Sequence, residues 1–409
     1  MPALVTPSPT PTTTPGPAGA RQATLRATNL GLVAQQVFGS PTPVSRADVA
    51  TATGMTRSTT SRLADELVAG GLLTELPPLP ARGPGRPAVP LTAASGTFVA
   101  IGLEVNVSHM AVRAVDLAGQ VLAERVVVED LEHSSPGPVL SRLAGLVSQV
   151  LGLDAVRQAR LVGAGLALPG LVQGDRLLHA PNLGWSDVRP ADHLAEALTP
   201  VGSPLVLGNE ADLAALTAAR QSPAGAVRTS DFLYLSGENG VGAGVVRSGA
   251  VMLGASGFAG EVGHVLVDPT GPECGCGNRG CVERYAGRRA ILRAAGLPVQ
   301  TRPEALLAAH REGDRAAREA ISSAAHALGV GLGAAINLLG IPTVVLGGHL
   351  GPLTEVLRPE LEAELARRVL ASAWAPVTVL PAPDDETPGA TGAAWSLLEP
   401  IVADPSAWL

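Results

Sequence analysis

Glu261-Val-Gly-His264 is followed, after a nine-residue spacer, by Cys274-Gly-Cys276-Gly-Asn-Arg-Gly-Cys281-Val-Glu283. One imidazole and three thiols at this spacing make a soft tetrahedral donor set that suits zinc. Four protein ligands, His264, Cys274, Cys276 and Cys281, leave no position for water, so the expected zinc is structural. Pro272, Gly275, Gly277 and Gly280 supply the tight turns that such a loop needs. These are the chain's only three cysteines. An odd number crowded into eight residues is no disulfide framework, and it points to a reducing, cytoplasmic setting. Glu261 and Glu283 flank the loop, so a bound metal would fix both carboxylates near one point. Two carboxylates beside an imidazole suit hydrogen bonds to several hydroxyls, as on a sugar.

Outward from this loop, the pattern is α/β. Apolar runs at Phe98–Val105, His109–Asp116 and Val121–Val128 predict a strand meander. A helix over Val139–Leu151 and a strand over Leu161–Leu168 follow, and the alternation continues. Glycine-rich turns at Gly237–Gly244 and Gly347–Gly348 follow strands. Asn209-Glu210 follows the apolar strand Leu205–Leu207, and Asn182 lies in Ala180-Pro-Asn-Leu-Gly-Trp185. Both occupy strand ends, where α/β proteins place ligand contacts. Ala327–Gly348 carries no charge, yet Asn337, Gly340 and Pro342 interrupt it. It reads as a buried helix, a turn and a buried strand, with no membrane span.

The chain has 409 residues and a net charge of −7, and all 29 of its cationic side chains are arginine. The absence of lysine excludes a Schiff-base lysine and a Walker lysine. Aromatics at 2% are too few for single-stranded nucleic-acid stacking platforms. Charge is unevenly spread: residues 1–92 carry +3 and the remainder −10. Residues 1–20 read as a disordered tail. A helix from Leu25 to Phe38 then precedes one capped by Ser45 (Arg46–Thr53) and one capped by Thr56 (Arg57–Ala69), with Gly54 in the turn between them. This is helix-turn-helix order. The last helix opens Arg57-Ser58-Thr59-Thr60-Ser61-Arg62, a start suited to a DNA major groove. Strand, basic turn and strand over 72–91, with Arg82 and Arg86 in the turn, read as a wing for backbone or minor-groove contacts. The expected DNA-binding set is Ser45, Arg46, Thr56, Arg57, Ser58, Thr59, Thr60, Arg62, Arg82 and Arg86, on double-stranded operator DNA.

The zinc motif, with Gly85-Arg-Pro, Ala180-Pro-Asn-Leu-Gly-Trp and Gly389-Ala-Thr-Gly-Ala-Ala, resembles the ROK proteins (repressors, open reading frames, kinases). The front domain is similar to the repressor branch, the N-acetylglucosamine, xylose and Mlc-type sugar-responsive regulators. The resemblance implies a winged helix-turn-helix followed by an actin-like (RNase H-like) two-lobed fold. The implied division is 21–92 for DNA binding, 93–212 for the first lobe (completed by about 385–409), and 213–384 for the second lobe with the zinc loop. It also implies a homodimer or homotetramer. The sugar-contact set carried over is Gly170, Asn182, Asn209, Glu210, Glu261, His264 and Glu283. Kinases of the family carry Asp-x-Gly-Gly-Thr after the first strand and a catalytic Asp in Asn-Asp-Ala-Asn. This chain has Glu104-Val-Asn-Val-Ser108 and Asn209-Glu-Ala-Asp212. Both glycines are lost where backbone should approach phosphate, and the carboxylate is one methylene longer. The expectation is a sugar-responsive regulator, most simply a repressor, without catalytic residues. The rival is a sugar kinase with an appended DNA-binding domain.

Overall fold

The computed structural model describes residues 17–78, 88–237 and 239–409. It forms two compact units: residues up to Phe38 with Thr42–Thr92 and Pro400–Leu409, and Gly39–Pro41 with Ala93–Glu399.

The first unit contains α1 (Pro17–Phe38), β1 (Val44–Ser45), α2 (Arg46–Thr53), α3 (Arg57–Ala69), β2 (Leu73–Glu75) and β3 (Pro90–Ala93). Its strands order as β1-β3-β2. Ser45 and Asp48 form a reciprocal capping box on α2, and Gly54 closes that helix in a left-handed conformation (φ 71°). The Thr56 hydroxyl accepts from the Thr59 backbone N–H at 3.2 Å. Leu30, Val33, Val37, Val49, Leu63, Leu67 and Leu91 form the buried interior.

Two differences from the sequence reading emerge, and one expectation falls on residues that the structure does not describe. α1 starts at Pro17, so residues 17–20, expected in the tail, are helical, and residues 1–16 lie outside the described residues. Proline favours the first helical turn, and the alanines after it are strong helix formers. The basic turn with Arg82 and Arg86 also lies outside the described residues, although the strands on either side form. Finally, residues 400–409, expected to complete the first lobe, belong with the helix-turn-helix. Ile401, Val402 and Pro405 are buried, and a Cβ at Gly31 would stand 2.8 Å from the Ala403 carbonyl oxygen.

In the second unit, β4 (Phe98–Val105), β5 (His109–Asp116) and β6 (Val121–Val128) form the meander. Then come α4 (Pro136–Leu151), α5 (Asp154–Arg157), β7 (Arg160–Leu168), the small sheet β8 (Leu171–Gln173), β9 (Arg176–Ala180) and β10 (Trp185–Val188), α6 (Ala191–Leu194), β11 (Leu205–Asn209) and α7 (Glu210–Ala219). The second half repeats the plan. β12 (Phe232–Gly237), β13 (Val241–Arg247) and β14 (Ala250–Val251) precede α8 (Glu283–Ala286), α9 (Arg288–Ala294), α10 (Pro303–Glu312) and α11 (Arg315–Leu339). β15 (Thr343–Gly348), α12 (Leu350–Arg368), β16 (Thr378–Pro381) and α13 (Pro388–Ala403) complete it.

The two large sheets share one order, β11-β7-β4-β5-β6 and β14-β13-β12-β15-β16 read from opposite ends. In each, the first strand pairs antiparallel with the second and parallel with the fourth. α11 is long and apolar enough to cross a membrane, yet Ile321, Leu328 and Leu332 are buried in the second sheet's core. The segment 327–348 is thus helix, turn and strand as its sequence predicts. Gly389 and Gly392 in α13 are explained by contact: a Cβ on Gly389 would meet Glu104 Cδ at 2.8 Å, and one on Gly392 would collide with the Leu213 carbonyl.

Candidate functional site

Gly170, Asn182, Asn209, Glu210, Glu261, His264 and Glu283 all line one cavity of about 70 Å³, together with Val107 and Gly240. The first half of the unit supplies Gly170 after β7, Asn182 in the turn between β9 and β10, and Asn209-Glu210 where β11 passes into α7. The second half supplies Gly240 in the β12–β13 turn and, from either side of the Cys/His loop, Glu261, His264 and Glu283. Gly240 is the point of closest approach. A Cβ there would lie 2.6 Å from Asn182 Nδ2 and 2.8 Å from Glu283 Oε2.

Asn209 caps α7: its Oδ1 accepts from the Ala211 N–H (2.8 Å) and the Asp212 N–H (3.2 Å). Its Nδ2 donates to the Gly170 carbonyl at 2.9 Å, which leaves one amide hydrogen for a ligand. Glu210 Oε2 accepts a 2.7 Å hydrogen bond from Asn106 Nδ2. The two residues lie 104 positions apart, so this contact ties the turn after β4 to the start of α7. Glu104 is buried, and its Oε2 accepts the Ala390 N–H at 2.8 Å.

Sequence reasoning did not put Asp212 among the site residues. It is 6% exposed, and its Oδ1 makes no hydrogen bond among the described residues. Burial, with the nearby Glu261 charge, pushes its carboxyl up to about 7. The signal available was its position three residues after Asn209; its burial depends on the distant β13 and Glu261. Glu261 is also raised, by burial and by the charge of Glu283, against an opposing effect of His264.

His264 joins the cavity to the thiol cluster. Its Nε2 lies 3.7 Å from Glu261 Oε2, and its Nδ1 lies 3.7 Å from Cys274 Sγ. Cys276 Sγ and Cys281 Sγ are 3.8 Å apart, and the four donor atoms all fall within 4.8 Å of one another. Metal–sulfur bonds of ~2.3 Å at tetrahedral angles separate sulfurs by ~3.8 Å, so the donor set fits a zinc-sized ion. Burial pushes the Cys274 and Cys281 thiols upward, so without a cation they stay protonated. Cys274 Sγ donates to Glu283 Oε1 at 2.8 Å.

Arg289 of α9 bridges the two halves of this unit. It pairs with Glu132 and, at 2.7 Å, with Asp130, both in the loop after β6. That loop is tied to cavity residues: Leu131 N–H donates to the Val107 carbonyl (2.9 Å) and His133 N–H to the Asn182 carbonyl (3.2 Å). A second cavity of about 670 Å³ runs past Ser108, His109, Gly347 and Gly348. Arg288 and Arg302 line it against Glu304, Asp384, Asp385 and Glu386.

On the helix-turn-helix, Thr56, Arg57, Ser58 and Arg62 are exposed and Thr59 is half-buried. Thr60 is 0% exposed, so it is a core residue of α3 and does not face DNA. Arg46 is bound by Asp65 (2.6 Å) and Glu75, and it ties α2 to α3 and β2. Ser45 is spent on its cap.

A helix-turn-helix unit and an α/β body of two like-ordered sheets around a polar cavity define a sugar-kinase-like protein with a DNA-binding type of front domain. The sequence matches the ROK family over residues 100–399 and the IclR helix-turn-helix domain over residues 38–77. The chain belongs to the ROK family. It is 27% identical to the xylose repressor of Bacillus subtilis (strain 168) over 370 residues, 88% of this chain and 92% of that protein. A crystal structure of a ROK family transcriptional regulator, a homologue of the Escherichia coli MLC protein, shares the fold with a TM-score of 0.72. Identity is 24%, covering 93% of this chain and 97% of that one. The ROK glucokinase of Streptomyces griseus, solved with glucose and AMPPNP, has a TM-score of 0.60 at 24% identity, covering 72% and 98%.

Proposed function

We propose that the protein is a sugar-responsive, DNA-binding repressor of the cytoplasm whose body has no kinase activity. The observation that carries this reading is the convergence of seven polar and glycine residues on one cavity in a chain that opens with a helix-turn-helix. Arg57, Ser58, Thr59 and Arg62 at the start of α3 supply groove contacts, and Arg82 and Arg86 of the wing supply backbone contacts. Sugar hydroxyls bond to Asn182, Asn209, Glu261, His264 and Glu283, with Gly170 beside the ring. Zinc on His264, Cys274, Cys276 and Cys281 is structural. It fixes the loop that presents Glu261 and Glu283, and its ligand His264 turns the other ring nitrogen toward Glu261. The name of the Bacillus subtilis relative supports a pentose as the effector class.

Two observations support the absence of phosphotransfer. Glu210, at the position of the kinase base, is held by Asn106. The second cavity is lined by more carboxylates than arginines, which disfavours a polyphosphate. The kinase reading draws on the glucokinase likeness and on the carboxylate that Glu210 retains. A purified homo-oligomer, incubated with genomic DNA fragments, will select operator fragments and release them when xylose, glucose or N-acetylglucosamine is added singly. Release by none of the three, or ATP-dependent phosphorylation of any of them at an ordinary enzymatic rate, would overturn the proposal.

A further inference from the structure

The three thiols of the Cys/His loop are not equivalent. Cys274 and Cys281 are buried, whereas Cys276 is half-buried and reaches solvent. The Cys274 thiol is occupied, since it donates to Glu283 Oε1 at 2.8 Å. Cys276 Sγ lies 3.8 Å from Cys281 Sγ. The two sides of this pair differ in freedom. Cys281 is anchored: its backbone forms an antiparallel bridge with Leu266, and a Cβ on the preceding Gly280 would collide with the Asp268 carbonyl. Cys276 is followed by Gly277, whose φ is 93° and around whose Cβ position nothing lies within 4 Å. A disulfide holds its sulfurs ~2.05 Å apart, so Cys276 has to move by under ~2 Å toward a fixed partner.

Building on the zinc assignment made above, we propose that Cys276 and Cys281 form a reversible thiol switch, in which a hydroperoxide converts the pair to a disulfide and the loop gives up its zinc. The Cys276 sulfur attacks one peroxide oxygen: an S–O bond forms, the O–O bond breaks, and the departing oxygen takes the thiol proton and leaves as water or an alcohol. Cys281 then attacks the Cys276 sulfur: the S–S bond forms, the S–O bond breaks, and the hydroxyl leaves as water with the Cys281 proton. With both sulfurs counted as thiols, two thiols and one hydroperoxide give one disulfide, one alcohol or water, and one further water. Two electrons pass from sulfur to oxygen. Solvent access makes Cys276 the first target, and burial shields Cys281 from direct oxidation. Only His264 and Cys274 then remain as donors, half of a tetrahedral set and too few to hold the ion. Cys281 sits two residues before Glu283, so the oxidised loop no longer presents the Glu261 and Glu283 carboxylates together. Dithiols of a reducing cytoplasm reverse the bond, which makes the change transient.

The full chain is tested without DNA or sugar, so the outcome is separate from that of the regulatory reading. Zinc is first measured by elemental analysis of untreated protein. Hydrogen peroxide is then titrated in, and released zinc is followed with a chromogenic chelator. The expected result is loss of the one bound zinc in step with one disulfide per chain, with both thiols and zinc recovered after dithiothreitol and added zinc. Trypsin cuts after Arg279, between the two cysteines, so peptides 248–279 and 280–284 should emerge joined. Fragmentation should place the link at Cys276 and leave Cys274 free of it. Zinc retained after peroxide, a link through Cys274, or oxidation of Cys276 to a sulfinic acid with no link would each overturn the inference while leaving the zinc assignment standing. Untreated protein that holds no zinc would overturn both.

Discussion

Asp212 shows at the level of one side chain how the site departs from ordinary carboxylate behaviour. Its folded pKa of about 7 exceeds the unfolded value near 3.8. A raised acid contributes full stability below pH ~4, and that contribution is lost as pH rises through ~7. Asp212→Asn should therefore flatten the stability–pH profile over that window and stabilise the fold at pH 8 by on the order of 2–4 kcal/mol, read by urea titration at several pH values. A profile parallel to wild type would count against the buried, unpaired carboxyl. In the front unit, Thr56→Ala should cost about 1 kcal/mol of stability through loss of the α3 cap. Arg57→Ala should leave stability within ~0.5 kcal/mol while weakening operator binding and lowering the salt slope by ~1. Caps such as Thr56 and Ser45 were legible in sequence because the partner lies three residues away. The Asn106–Glu210 bond spans 104 positions, and the Arg46–Glu75 pair spans 29. No local pattern announces such contacts, and Thr60 read as a groove residue because only packing against other helices decides which face of α3 is inward.

Among the elements, the loop that carries His264, Cys274, Cys276 and Cys281 has the clearest expectation. Its residues were legible because donor chemistry and spacing are local. Their approach to Asn182 was not, because Gly240 on a separate hairpin permits it. Cys276→Ser should abolish the one bound zinc measured by elemental analysis, lower the thermal midpoint by about 5 °C or more, and remove the sugar response. Retained zinc with unchanged melting would refute the ligand assignment. Arg289 of α9 acts on a different step. Partly exposed ion pairs are each worth little, ~0.2–1 kcal/mol, so the pairs with Asp130 and Glu132 form a weak clasp that opens readily. Arg289→Ala should raise both ligand association and release rates about 3–10-fold, with a small change in affinity, as read by stopped-flow fluorescence. Unchanged rates would show that the clasp does not gate the cavity.

For the whole molecule, regulation is an exchange between two ligands of one chain. If sugar weakens operator binding by some factor, operator DNA must weaken sugar binding by the same factor. Calorimetry of sugar binding with and without operator should return that factor, and unequal factors would show that the two sites are not linked as proposed. The alternation of strands and helices was legible from apolar spacing alone. The repeated strand order of the two sheets was not, since strand neighbours are set by long-range pairing. Nor was the placement of Pro400–Leu409 beside Gly31 in the helix-turn-helix unit. That placement governs how the protein is born. As the ribosome works from the amino end, residues 17–92 emerge roughly 300 positions before the segment that completes their interior, a delay of some 15–60 s at ordinary elongation speeds. A nascent chain therefore carries an unfinished reading head throughout most of its synthesis, and only a polypeptide translated through residue 409 acquires a fully packed one.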